Sequence, residues 1–109
     1  MIHELEEQYS YLFAGMVRCV QDFLCRERVL ELPPEEIESR ARGMGYESYN
    51  NLKASIEYYR GMALGYATAA WTVLHGRPPK DIMEEVEISE GLRKIREQLK
   101  EASHGTTPS

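Results

Sequence analysis

The sequence predicts an all-α protein, and three observations support this fold class. Apolar residues recur at helical spacing over two long segments, residues 3–31 and 49–74. The prolines all lie outside these two segments, where helices are expected to begin and end. No segment shows the sustained polar–apolar alternation of a half-buried strand. We therefore expect a bundle-like fold, a long antiparallel helical hairpin with a short connector helix and a C-terminal helix.

The first long helix is predicted over residues 3–31. Its apolar stripe is wide enough to contact two neighbouring helices. Gly15 lies in this stripe and permits close approach of another helix, at a local cost of about 1 kcal/mol. Leu32 ends the helix, because a residue that precedes proline is pushed out of the α region. The stripe consists of Leu5, Tyr9, Leu12, Met16, Cys19 and Phe23, with Phe13, Val17, Val20 and Leu24 beside it.

The connector helix is predicted to open at Pro34, because proline is favoured in the first helical turn. The two glutamates that follow complement the positive end of the helix dipole. Ile37 and Ala41 form its narrow apolar face, and the sequence Gly43-Met44-Gly45 ends it.

The second long helix, residues 49–74, organises the chain. Ser48 is its expected N-cap, and it ends at His75-Gly76. No residue from Gly61 to Leu74 is charged, so we expect other helices to wrap this half. Two apolar seams run along the helix. The first consists of Tyr49, Leu52, Ile56, Tyr59, Ala63, Tyr66, Ala70 and Val73, and the second of Leu64, Ala67, Trp71 and Leu74.

The C-terminal part is predicted as two helical pieces within a single helical domain, residues 1–102. Residues 80–88 form one or two weaker turns, because the apolar phase slips near Ile88. Ser89 then caps a last helix that runs to about Ala102. Residues 103–109 contain no apolar residue, which predicts a disordered C-terminal tail.

The overall composition argues against several classes of protein. A net charge of −5 disfavours non-specific binding to nucleic acid or anionic lipid. No apolar run reaches the roughly 18 residues of a membrane span, and the N-terminal sequence is unlike a signal peptide. Cys19 and Cys25 form no CxxC motif and cannot bridge within one helix. We therefore expect a protein of the reducing cytoplasm.

The hairpin has apolar surface on several sides, and three helices cannot bury all of it. A second copy of the chain is the simplest cover, which predicts a homodimer with a four-helix core. Further protein partners are also compatible with this surface. We therefore expect a non-catalytic interaction or assembly module. The predicted interface residues are Tyr58, Gly61, Ala63, Gly65, Tyr66 and Trp71.

The motif Gly61-x-x-x-Gly65 supports this hypothesis, because small residues four apart let two helix backbones approach closely. Two interpretations are open. The crossing lies either at an oligomer interface or inside the monomer, with Ala14 or Gly15 of the first helix opposite. The second interpretation is slightly favoured.

DNA binding is the alternative function, because residues 35–60 resemble a helix-turn-helix pattern. Exposed polar residues would open its second helix, where base contacts are usually made. Against it, that helix is much longer than a recognition helix needs to be. The residues that would carry this function are Arg40, Arg42, Asn50 and Lys53.

Catalysis is not expected, and neither a cofactor nor a metal ion is predicted. A di-iron bundle needs paired Glu-x-x-His motifs, and the chain has a single such spacing, from Glu101 to His104. No nucleophile elbow, phosphate-binding loop or dinucleotide fingerprint is present.

Overall fold

The computed structural model describes residues 2–105, and every regular element in that range is a helix. Helix α1 spans Ile2–Leu30, α2 spans Pro34–Gly43, α3 spans Tyr49–His75 and α4 spans Ile82–Gly105. The all-α prediction is therefore confirmed for this range. Among the described residues, no helix is long and apolar enough to cross a membrane.

Helices α1 and α3 pack along most of their length, and the contacts run in opposite order along the two helices. Gly15 of α1 lies against Tyr66 of α3, whereas Glu27, three turns later, pairs with Arg60. The first predicted seam of α3 provides most of its buried side. The larger core cluster consists of Cys19, Val20, Phe23, Leu24, Val29, Ala41, Leu52, Ile56 and Ala63.

Helix α4 closes a second, smaller core cluster near the other end of α3. Its Ile88 is 6% exposed and packs with Met16, Ala67 and Trp71. The predicted break at Ser89 was wrong, because α4 runs without interruption through this position. Asp81 caps the helix instead, since its Oδ1 accepts a hydrogen bond from the backbone N–H of Glu84 at 3.0 Å.

The remaining helix ends follow the sequence signals. The Ser48 hydroxyl accepts the backbone N–H of Asn51 at 3.4 Å and caps α3. Gly76 ends α3 with a φ of 69°, a left-handed conformation that suits glycine. Pro34 begins α2, as predicted. The C-terminal tail was predicted to begin at residue 103, but the backbone of α4 continues to Gly105. The last residues of the predicted tail, 106–109, lie outside the described residues.

The expectation that other helices wrap the second half of α3 was wrong for one side of it. Ala63, Ala67, Ala70 and Trp71 are buried, but Gly61, Leu64, Gly65 and Leu74 are exposed. The absence of charge from Gly61 to Leu74 therefore does not reflect burial within this chain.

Candidate interaction surface

An uncharged, exposed stripe runs along α3 on the side that faces away from α1. We call Tyr58, Gly61, Leu64 and Gly65 the outer stripe. By helical geometry these positions fall within about a third of the helix circumference. Tyr58 is 64% exposed and Leu64 is 43% exposed. The stripe exposes one aromatic and one apolar side chain beside two positions where the helix carries no side chain.

The two glycines of the outer stripe have no neighbour within the chain. A Cβ atom added at Gly61 or at Gly65 would meet no heavy atom within 4 Å. The interpretation that Gly61 and Gly65 form a crossing inside the monomer is therefore wrong. The close approach inside the monomer lies elsewhere, at Gly15, where an added Cβ would lie 2.6 Å from the Tyr66 ring.

The other predicted interface residues lie inside the chain or at its edge. Ala63 is completely buried in the larger core cluster. Tyr66 is half-buried against Gly15. Trp71 is 8% exposed, and its ring stacks on His75 with 3.7 Å between centroids. The structure thus brings Tyr58, Gly61 and Gly65 together on the surface, and separates them from the remaining three.

An open groove between α3 and α4 adjoins the outer stripe. It has a volume of about 410 Å³ and includes Gly61 and Leu64 in its lining. Its other lining residues are Phe23, Glu57, Arg60, Ser89, Leu92, Arg93 and Arg96. The groove therefore joins an apolar floor to a charged rim.

Ion pairs neutralise the rim of this groove. Glu27 of α1 accepts hydrogen bonds from Arg60 of α3 at 2.6 Å and from Arg96 of α4 at 2.7 Å. The Arg93 guanidinium donates to Glu90 at 2.8 Å, and this contact lowers the pKa of Glu90. Because each arginine faces a carboxylate, the groove presents no surplus of positive charge to an anionic ligand.

Several exposed apolar residues were not among the predicted site residues. Leu74 is 64% exposed, Ile82 is 73%, Met83 is 75% and Val86 is 48%. Leu74 belongs to the second predicted seam of α3, and the other three lie in the first turns of α4. A sequence signal existed for them, because three large apolar residues in an otherwise acidic helix start exceed what one narrow buried face requires.

The residues of the DNA-binding alternative all lie on the surface. Arg40, Arg42, Asn50 and Lys53 are exposed. Arg42 forms an ion pair with Glu38 at 3.6 Å, and the Lys53 ammonium lies 5.5 Å from the centre of the Tyr49 ring. Two of the four side chains are thus already engaged within the chain.

The two cysteines differ in environment. Cys19 is buried and Cys25 is exposed, and both are free thiols. Burial, together with the nearby Asp22 carboxylate, raises the pKa of the Cys19 thiol. Within the described range, no three histidine, cysteine, aspartate or glutamate side chains are grouped closely enough to hold a metal ion.

Comparison of the chain with protein-family models, with curated proteins and with solved structures finds no match in any of the three. The function of the chain is therefore inferred from its own geometry.

Proposed function

We propose that this protein is a non-catalytic interaction module that forms a homodimer through the outer stripe of α3. The observation that carries the proposal is the open, uncharged surface at Gly61 and Gly65. In a helix, glycines four residues apart provide a flat surface on which a second helix can lie closely. Tyr58 and Leu64 lie beside the glycines and supply the apolar contact area. A twofold contact along α3 buries the same stripe on both copies and so completes the helical hairpin as a dimer.

The first test is the solution mass of the wild type and of Gly65→Leu. An added side chain at Gly65 meets open space in the monomer, so the variant folds normally while its leucine holds a partner helix away. We expect a dimer for the wild type and a monomer with unchanged helix content for Gly65→Leu. Size exclusion with light scattering over a concentration series measures both.

Gly91→Leu is the matched control. Gly91 also lies within a helix and also faces open space, but it belongs to α4 and not to the outer stripe of α3. We expect this variant to remain a dimer. A wild-type monomer at every concentration, or a dimer that persists in Gly65→Leu, would contradict the proposal.

DNA binding through Arg40, Arg42, Asn50 and Lys53 is the second candidate function, supported by the exposure of all four residues. If the protein does not bind duplex DNA even at low salt, DNA binding is contradicted as a function. The free thiols of Cys19 and Cys25 support the further proposal that the protein acts in a reducing compartment, the cytoplasm.

A further inference from the structure

The groove between α3 and α4 shares Gly61 and Leu64 with the outer stripe, so a partner that lies on the stripe also lies at the groove. The groove has a volume of about 410 Å³, which falls within the usual range of roughly 300–1,000 Å³ for a small-molecule site and admits an aromatic ring. Its apolar lining comes from all three long helices, through Phe23, Leu64 and Leu92. The occupant of this groove is therefore expected to have an apolar body.

The rim of the groove favours a neutral occupant with a polar end. Arg60, Arg93 and Arg96 each pair with a carboxylate, so a charged ligand would compete with an existing ion pair. The Nε atom of Arg96 is nevertheless buried without a hydrogen-bond partner among the described residues. Because buried donors are normally paired, an occupant that brings a hydroxyl oxygen supplies the acceptor that this rim lacks. A tyrosine side chain combines the two properties, an apolar ring and a neutral hydroxyl.

Tyr58 is the tyrosine that the outer stripe presents, and its side chain is 64% exposed. Successive residues of a helix are rotated by about 100°, which places Tyr58 on one side of the line through the two glycines. The same rotation places Glu57, Arg60 and Leu64, which line the groove, on the other side of that line. Tyr58 therefore points away from the groove of its own chain.

A parallel twofold pair of α3 helices brings these two sides together. When two such helices pack across their glycines and run in the same direction, the Tyr58 side of each helix faces the groove side of the other. Residues of equal number then lie at equal height, so Tyr58 meets the second copy at the level of residues 57–61, where α3 lines the groove. In an antiparallel pair, like sides meet instead, and Tyr58 faces away from the groove of the second copy.

We propose that the outer-stripe dimer is parallel, and that Tyr58 of each copy inserts into the groove between α3 and α4 of the other copy. This inference rests on the dimer proposed above and adds its orientation and its anchor residue. Insertion removes the exposed ring of Tyr58 and the apolar floor of the groove from water together, and it gives the hydroxyl an arginine donor. The twofold axis repeats the contact, so each dimer contains it twice.

Ser89→Phe tests the insertion without any change to α3. Ser89 is an exposed residue of α4 that lines the groove, so phenylalanine at this position fills the groove from its own chain. We expect the dissociation constant of the dimer, measured by light scattering over a concentration series, to rise at least about tenfold. Gln98→Phe is the matched control, because residue 98 is exposed on the face of α4 opposite to residue 89. This control should dimerise as the wild type does.

Tyr58→Ala completes a double-mutant cycle with Ser89→Phe. The alanine leaves the groove of the other copy empty, so we expect the dimer to weaken at least about tenfold while the helix content stays unchanged. In the Tyr58→Ala background, Ser89→Phe blocks a groove that no tyrosine enters, and it should therefore weaken the dimer little further. Additive losses from the two changes would overturn the insertion.

The same measurements separate the insertion from the dimer itself. A dimer that Gly65→Leu dissociates, but that Ser89→Phe or Tyr58→Ala leaves at wild-type strength, would support the outer-stripe interface and overturn the insertion of Tyr58. A wild type that is monomeric at every concentration would contradict the dimer, and the insertion with it.

Discussion

The helical glycines differ in what lies beside them. Gly15 of α1 makes room for Tyr66, because an added Cβ would lie within 2.9 Å of three atoms of the ring. Gly61, Gly65 and Gly91 are equally helical, yet nothing within the chain occupies the space beside them. Of these four helical glycines, Gly15 is the one whose replacement would clash with another part of the monomer.

Replacement of Gly15 by alanine should therefore destabilise the protein by about 1–3 kcal/mol, the usual cost of excess volume at a packed contact. Alanine at Gly91 is the control, and it should stabilise the protein by up to about 1 kcal/mol because alanine favours the helical backbone. Urea unfolding of the two variants measures both changes. Equal stability of Gly15→Ala and the wild type would show that the Tyr66 ring moves aside without cost.

Local sequence signals predicted most helix boundaries, because capping chemistry depends on neighbouring residues. Ser48, Gly76 and Pro34 occupy the predicted end positions. The error at Ser89 has a tertiary cause, since Ile88 is held in the second core cluster by α1 and α3. The local apolar pattern suggests a helix break at this point, but burial of the neighbouring side chain keeps the helix continuous. A single sequence does not reveal that burial.

The connection between α3 and α4 depends on an ion pair that titrates in acid. The Arg77 guanidinium donates two hydrogen bonds to the Glu84 carboxylate, at 2.9 and 2.6 Å, and the Lys80 backbone N–H donates a third at 2.8 Å. These contacts lower the pKa of Glu84 from 4.5 to about 2. A carboxylate with a lowered pKa in the folded state stabilises that state above its unfolded pKa.

We therefore expect the stabilisation from Glu84 to be complete above pH 4.5 and to disappear as the pH falls towards 2. Thermal unfolding of the wild type and of Glu84→Gln at pH 5 and pH 2 tests this. The wild type should lose more stability than the variant over this range, because only the wild type can protonate at this position. Equal losses in the two proteins would contradict the assignment.

At the scale of the whole molecule, the sequence predicted which faces are apolar but not which neighbour covers each one. The first seam of α3 is buried, as expected, at Leu52, Ile56 and Ala63. The second seam is divided, since Ala67 and Trp71 are buried while Leu64 and Leu74 are exposed. Periodicity gives the direction in which a side chain points. Whether that side chain is buried depends on where α4 lies, and the position of α4 follows from contacts between distant residues such as Ile88 and Met16.

The proposed dimerisation through the outer stripe predicts that stability depends on protein concentration, because unfolding of a dimer releases two chains. A tenfold rise in protein concentration should then raise the midpoint of thermal unfolding by about 3 °C, given the usual unfolding entropy per residue for two chains of this length. Gly65→Leu should show one midpoint at every concentration, while Gly91→Leu should follow the wild type. A wild-type midpoint that does not move with concentration would mean that the exposed glycines of α3 do not couple two copies of this fold.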